Sequence, residues 1–272
     1  MDCKLIALDM DGTVLTSDKR ITSATREAAA LAADHGIEVA LCTGRTYSEL
    51  GEALAAMPVI RYAVCCNGAS VMDGKTGKQL YNNPLPLSTV MEVYRILSPY
   101  EMEFEVFADG KVYTPRHCCA DPARYGVGNL LPLIRATRLP VDDMETFLAA
   151  LPVPVDKINI FFPTASLRDE ARRAIAHCPA ALATSEPTNL EVNLPTANKG
   201  DGLSHLADYL GIRREQVMAI GDSYNDLGML EYAGLAVAMG NAVEEAKRRA
   251  DVITATNDED GVAKAIREQI GL

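Results

Sequence analysis

Four apolar residues, Leu5-Ile6-Ala7-Leu8, run directly into Asp9-Met10-Asp11-Gly12-Thr13. A short, wholly apolar run bounded by turn residues reads as a strand buried on both faces, the kind found in a parallel sheet. In open parallel sheets, ligand sites lie just beyond the carboxyl ends of strands. Asp9 is therefore placed at a functional edge, with Asp11 further into the following loop. Gly12 lets that loop bend tightly and lets backbone N–H groups approach an anion. A lone Asp-Gly is ordinarily just a turn. An EF-hand calcium loop is excluded, because Val14 stands at its glycine position and Arg20 at its closing glutamate. The third reading is a hard-cation site that also carries a nucleophile, since carboxylates and carbonyls suit Mg²⁺ and an aspartate can accept a phosphoryl group.

The rest of the chain decides among these readings. At 272 residues it exceeds the usual single domain, so two domains are expected. A net charge of -11 opposes binding to nucleic acid or an anionic membrane surface. It leaves room for a small phosphorylated substrate, because a bound cation inverts the local field. Seven cysteines, an odd number with no zinc-type spacing, point to a reduced, cytoplasmic chain. The adjacent pairs Cys65-Cys66 and Cys118-Cys119 read as small core residues. No apolar run is long enough for a secretion signal or a membrane span.

Strand-then-helix alternation fills both ends of the sequence. A helix over Thr22 to Asp34, capped by Thr22 and stopped by Gly36, precedes the strand Ile37 to Cys42, which ends in Thr43-Gly44-Arg45. A helix over Tyr47 to Met57 leads to the strand Tyr62 to Cys66, which ends at Asn67-Gly68. A hairpin about Asp73-Gly74 follows. Between Pro84 and about Leu194 the alternation lapses into hairpins and helices: a hairpin about Asp109-Gly110, helices near Pro122 to Arg135, Asp142 to Leu151 and Ser166 to His177, and a strand from Val155 to Phe162. Such a mixture predicts an α+β unit inserted into an α/β one. From Lys199 the alternation returns, with a helix over Gly202 to Leu210 and the strand Val217 to Ile220 emptying into Gly221-Asp222-Ser223-Tyr224-Asn225-Asp226. Gly126-Val127-Gly128 fails as a dinucleotide loop, because Leu131 stands where the third glycine belongs.

Asp9/Asp11, Thr43/Arg45, Asn67 and Asp222/Asn225/Asp226 thus stand at four strand ends. If those strands are parallel neighbours, their polar groups converge on one edge. Several carboxylates meeting there repel one another unless a cation lies between them. Mg²⁺ would supply that charge, Thr43 a hydroxyl, and Lys199 a point charge for a phosphoryl group. Each residue alone has a plain explanation: a helix cap at Thr43, a solvated surface lysine at Lys199, and favourable N-terminal charges at Asp222 and Asp226. Their coincidence at successive strand ends does not.

These motifs resemble the haloacid dehalogenase-like superfamily, and within it the Cof-type sugar-phosphate phosphatases with a large α/β cap. Asp9-Met10-Asp11-Gly12-Thr13 is similar to the first family motif and Cys42-Thr43-Gly44-Arg45 to the second. Asn198-Lys199-Gly200 is similar to the third, and Gly221-Asp222-Ser223-Tyr224-Asn225-Asp226 to the fourth. Asp260-Gly261-Val262-Ala263 is similar to the family's C-terminal stretch, while Gly228 departs from the larger residue expected there. The resemblance implies a Rossmann-like core over 1–83 and 194–272, with an inserted α+β cap over 84–193. It implies that Asp9 attacks phosphorus, and that Asp9, the Asp11 backbone carbonyl and Asp222 hold Mg²⁺, with Asp226 in the first or second layer of ligands. Thr43 and Lys199 would hold the phosphoryl oxygens, with Gly12, Gly44, Arg45 and Asn225 around them, and Asp11 would be the acid and base. A leaving alkoxide needs a proton and an attacking water must lose one. The expected activity is a Mg²⁺-dependent phosphatase of small phosphorylated metabolites, as a monomer or weak homo-oligomer. A hexose phosphomutase and a phosphate-binding regulator without turnover are its rivals.

Overall fold

The computed structural model describes residues 2–127, 130–184 and 186–271, so Gly128 of the failed dinucleotide loop lies outside the described residues. The chain opens with β1 (Leu5–Leu8), α1 (Ser23–Asp34), β2 (Glu38–Cys42), α2 (Gly51–Ala56), β3 (Tyr62–Cys65), β4 (Ser70–Asp73) and β5 (Lys78–Asn82). Then come α3 (Leu87–Leu97), β6 (Glu103–Ala108), β7 (Lys111–Pro115), α4 (Arg116–Ala120), α5 (Leu131–Thr137) and β8 (Arg138–Val141). They are followed by α6 (Met144–Ala150), β9 (Val155–Phe161), α7 (Ala165–Ala174), β10 (Ala181–Ala183) and β11 (Asn189–Asn193). The chain closes with α8 (Lys199–Leu210), β12 (Val217–Gly221), α9 (Leu227–Tyr232), β13 (Leu235–Ala238), α10 (Glu244–Arg249), β14 (Val252–Ile253) and α11 (Gly261–Ile270). Two compact units result, one from Met1–Asn82 with Ala197–Leu272 and one from Asn83–Thr196.

The first unit holds an eight-stranded sheet in the order β14-β13-β12-β1-β2-β3-β4-β5. From β14 through β3 every pairing is parallel, and β4 and β5 add an antiparallel edge. All four residues of β1 are fully buried, as an apolar run at the centre of a parallel sheet must be. In register Leu8 stands between Leu41 and Ile220, so β1, β2 and β12 end at one level. The Thr22 hydroxyl caps α1 by accepting from the Thr25 N–H at 3.1 Å. The helix predicted from Tyr47 opens as a 3₁₀ turn over Tyr47–Leu50 before α2. α8 starts three residues before the predicted Gly202, because the Asn198 side chain caps it by accepting from the Asp201 N–H at 3.0 Å.

The second unit is an α+β layer with a six-stranded sheet in the order β10-β11-β9-β6-β7-β8. Phe104, Val106, Ile158, Ile160, Leu190 and Val192 point to one face, where they pack with Val90, Val93 and Leu97 of α3 and Leu148 of α6. The alternate positions carry polar groups interspersed with Phe107 and Phe161. Arg138 holds both oxygens of Glu105, the Asn159 amide donates to Glu105 at 3.1 Å, and the Asn189 amide donates to Asn159 at 3.0 Å. β8 was not foreseen from its Arg-Leu-Pro-Val composition, and it pairs parallel to β7. The helix predicted over Pro122 to Arg135 is split, since Gly126 takes a left-handed conformation at φ 65° and ends the 3₁₀ turn Pro122–Tyr125.

Candidate active site

β12, β1, β2 and β3 are consecutive in the sheet and parallel, so the residues that leave them arrive at one edge. Asp9 follows β1 with its backbone N–H held by the Ile220 carbonyl at 3.0 Å, and it is almost fully buried. Thr43 follows β2, held by the Val64 carbonyl at 2.8 Å, while its own carbonyl accepts from Asn67 at 3.0 Å. Asp222 follows β12. Oxygens of Asp9, Asp222 and Asp226 lie within 4.8 Å of one another.

Lys199 meets this cluster from the first residue of α8. It is completely buried, with Nζ 2.5 Å from Oδ1 of Asp9 and 2.6 Å from Oδ1 of Asp226. Its plain reading as a surface lysine is thereby excluded. Burial alone would lower its affinity for a proton, but the charges of Asp226 and Asp9 outweigh that, and the ammonium stays protonated well above its ordinary range. Burial comes first and the Asp226 charge second in pushing the Asp9 carboxyl up. The same two causes raise Asp222 to about 6. One ammonium against three close carboxylates leaves a surplus of negative charge. An all-oxygen cluster with that surplus fits a hard divalent cation.

Glycines allow this close approach. Gly12 lies at φ +86°, and a Cβ there would sit 2.4 Å from Oδ2 of Asp222. At Gly228 a Cβ would meet Oδ1 of Asn198 at 2.5 Å, and at Gly200 one would meet the Gly228 carbonyl oxygen at 2.3 Å. The glycine that departs from the family pattern therefore lets α9 lie against the capped start of α8, where Lys199 is presented.

Two of the predicted residues bond to other groups of the site itself. Both oxygens of Asp226 are taken inside the protein: Oδ1 faces Lys199, and Oδ2 accepts from the N–H groups of Asp222 and Ser223, each at 2.9 Å. Asp226 thus fixes the loop that carries Asp222. The Arg45 side chain grips Asp11 through both carboxylate oxygens, and Lys19 adds a third bond at 3.0 Å. Burial would raise the Asp11 carboxyl, but Arg45 and Lys19 prevail and hold it at about 2. Gly44 lies against Asn67, where an added Cβ would sit 2.9 Å from Oδ1, and the Asn225 amide donates to that same oxygen at 3.2 Å.

Several participants escaped the sequence reading. The Thr13 hydroxyl donates to Asp222 at 3.2 Å. The Asn241 amide donates to the Gly12 carbonyl at 2.8 Å, and its oxygen accepts from the Asn257 N–H at 2.9 Å. Asn257 also donates to the Leu15 carbonyl at 2.9 Å, while Asp258 accepts from both the backbone and the hydroxyl of Ser17. The loop after Asp9 is thus tied to the C-terminal segment. Asn241 follows β13, a fifth parallel strand ending at the same edge, so the rule applied to the other four reaches it too.

A parallel sheet with an acidic edge, a buried lysine bonded to the first-strand aspartate and an inserted α+β unit together describe an α/β protein whose sheet edge can hold a hard cation. The profile of the haloacid dehalogenase-like hydrolases matches residues 6–266, and the chain belongs to that family. A haloacid dehalogenase-like hydrolase from Bacteroides thetaiotaomicron, solved by crystallography, superposes with a TM-score of 0.86 at 32% identity, covering 98% of this chain and 99% of that one. The 5-amino-6-(5-phospho-D-ribitylamino)uracil phosphatase YcsE of Bacillus subtilis is 31% identical over 99% of this chain and 97% of its own length. The subclass IIB sugar phosphatase BT4131 superposes with a TM-score of 0.80 at 25% identity, covering 98% of this chain and 99% of its own. The chain is a phosphatase of this superfamily, with an α/β fold. Among the described residues no helix is long and apolar enough to cross a membrane.

Proposed function

We propose that this phosphatase uses Mg²⁺ to hydrolyse small phosphorylated metabolites, sugar phosphates foremost, through a phosphoryl group carried on Asp9. The observation that carries the reading is the buried Lys199 bound to Asp9 and Asp226 beside Asp222. A carboxylate oxygen of Asp9 attacks phosphorus while the ester oxygen leaves and takes a proton from Asp11. Water then attacks the phosphoryl-aspartate, gives its proton to Asp11, and releases phosphate with Asp9 restored. Lys199 and Thr43 steady the phosphoryl oxygens, with Gly44 and Asn225 beside them. Asp9, the Asp11 backbone carbonyl and Asp222 would hold Mg²⁺, which supplies the charge that lets a phosphate dianion approach a carboxylate. Asp226 positions Lys199 and the Asp222 loop rather than joining the ligands. Because Arg45 and Lys19 keep the proton off Asp11 in the conformation described, the acid step requires its side chain to leave them.

The unit Asn83–Thr196 is assigned the role of specificity cap. The names of two relatives support a substrate with its phosphate on a sugar or sugar-alcohol chain, and that of a third names pyridoxal phosphate. Free cysteines throughout suit a reducing, cytoplasmic setting. The test is p-nitrophenyl phosphate followed by a panel of sugar phosphates, with Mg²⁺ and with excess chelator, on the wild type and Asp9→Asn. Turnover is expected with Mg²⁺ alone and in the wild type alone. Activity surviving Asp9→Asn would refute the nucleophile, activity in chelator would refute the metal, and a strict need for a sugar bisphosphate would point to the mutase.

A further inference from the structure

The second unit brings together a sulfur, a nitrogen and an oxygen donor that the phosphatase reaction does not use. Glu92 lies on α3, and His177 and Cys178 lie in the turn that follows α7. One donor atom from each lies within 4.8 Å of the others. His177 Nε2 and Glu92 Oε1 are 3.7 Å apart. The turn is held by the Cys178 N–H on the Ile175 carbonyl at 3.0 Å and the Ala180 N–H on the Cys178 carbonyl at 2.7 Å. Cys178 is buried with Val93 and Ile175 in the core of the unit, whereas Glu92 and His177 are exposed.

The three groups support one another only weakly by themselves. At 3.7 Å the Glu92–His177 pair is too long for a hydrogen bond, and exposed pairs contribute little. Zn²⁺ binds imidazole and carboxylate at about 2.0–2.2 Å and thiolate at about 2.3 Å, so neighbouring ligand atoms on a tetrahedral ion lie roughly 3.3–3.8 Å apart. The Glu92–His177 separation already falls in that range. The widest separation closes through rotamer changes of the two exposed side chains around a fixed sulfur. A mixed sulfur, nitrogen and oxygen set selects a borderline cation such as Zn²⁺ over Mg²⁺. We propose that Glu92, His177 and Cys178 form a Zn²⁺ site that clips α3 to the end of α7, with water as the fourth ligand. On binding, the Cys178 thiol loses its proton to solvent and its sulfur bonds the ion.

The probe is Co²⁺, added to reduced full-length protein in excess Mg²⁺. A thiolate-to-cobalt charge-transfer band in the near ultraviolet reports sulfur ligation, which the all-oxygen cluster of the other unit cannot give. One equivalent of Co²⁺ should raise the band, Zn²⁺ should abolish it by displacement, and Cys178→Ser should lack it. His177→Gln and Glu92→Gln, both at exposed positions, should fold normally and bind Co²⁺ more weakly by roughly tenfold or more. Zn²⁺ should raise the Tm of the wild type but not of these variants. No band in the wild type, or a band unchanged in both exposed variants, would overturn the proposal.

Discussion

The guanidinium of Arg45 closes on both carboxylate oxygens of Asp11, with Nε 2.9 Å from Oδ2 and Nη2 2.8 Å from Oδ1. A two-point grip of this kind fixes orientation as well as charge. It comes from the loop after β2 and holds the loop after β1, so the second strand end controls the protonation of a residue on the first.

Asp11→Asn tests what that residue does. The backbone carbonyl survives the change, so metal binding should survive with it. General acid–base help is worth roughly two to four orders of magnitude. p-Nitrophenol is a good leaving group and needs little protonation, so phosphoryl transfer to Asp9 should proceed. Hydrolysis of the phosphoryl-aspartate still needs a base to activate water. A burst of nitrophenol followed by near-arrest is expected in rapid quench, with phosphate trapped on Asp9 in intact-mass spectra. Slow steady turnover with no burst and no phosphoenzyme would mean that Asp11 is not the base.

Arg45→Met isolates the grip itself. The Asp11 carboxyl is held down at about 2 in the fold, so the pair stabilises above the ordinary carboxylate range and is lost as pH falls through that range toward 2. Because the Asp11 side chain is 42% exposed, solvent screens the pair and the loss at pH 7 should be only about 1 kcal/mol. In urea unfolding, the gap between wild type and variant should narrow from pH 6 to pH 3. A gap that widens toward acid would contradict the assignment.

Lys199→Met removes the cation between two buried carboxylates. Taking one partner from a buried ion pair typically costs about 3–5 kcal/mol, because the remaining charge is left uncompensated. The deficit should be largest at pH 8 and shrink toward pH 5, because burial and Asp226 already favour the protonated form of Asp9. Turnover should vanish at every pH. A variant as stable as the wild type at pH 8 would mean that Lys199 is not the compensating charge.

Glu103 predicts the opposite pH trend in the second unit. It is fully buried in the second unit, beside Glu105. Burial first, and the Glu105 charge second, push it up to about 8. The folded state therefore keeps a proton that the unfolded chain has released. Stability is complete below about 4.5 and is lost as pH rises toward about 8. Glu103→Gln should match the wild type at pH 4 and exceed it by about 2–4 kcal/mol at pH 9. Parallel stability curves across that range would show that Glu103 carries no such penalty.

The α/β core, the inserted α+β unit and the polar edge of the first sheet are legible in the order of the amino acids. The signals there are local: wholly apolar runs such as Leu5–Leu8 suit only a doubly covered parallel strand, and polar groups that follow such runs must emerge at their ends. Which of those groups bond to one another is set by the folding of distant segments together. Lys199 lies 190 residues from Asp9, and nothing in its neighbourhood distinguishes a fully buried ammonium from a solvated one. The departure at Gly228 acquires its reason only from the close approach of Asn198 and Gly200 at the start of α8. That Arg45 grips Asp11, and that Asp226 faces Lys199 and the backbone of the Asp222 loop, is likewise visible only in the folded chain. Strand formation follows from the pattern of a few adjacent side chains, whereas a hydrogen bond between strand ends depends on the order in which the strands assemble, and that order is a property of the folded sheet.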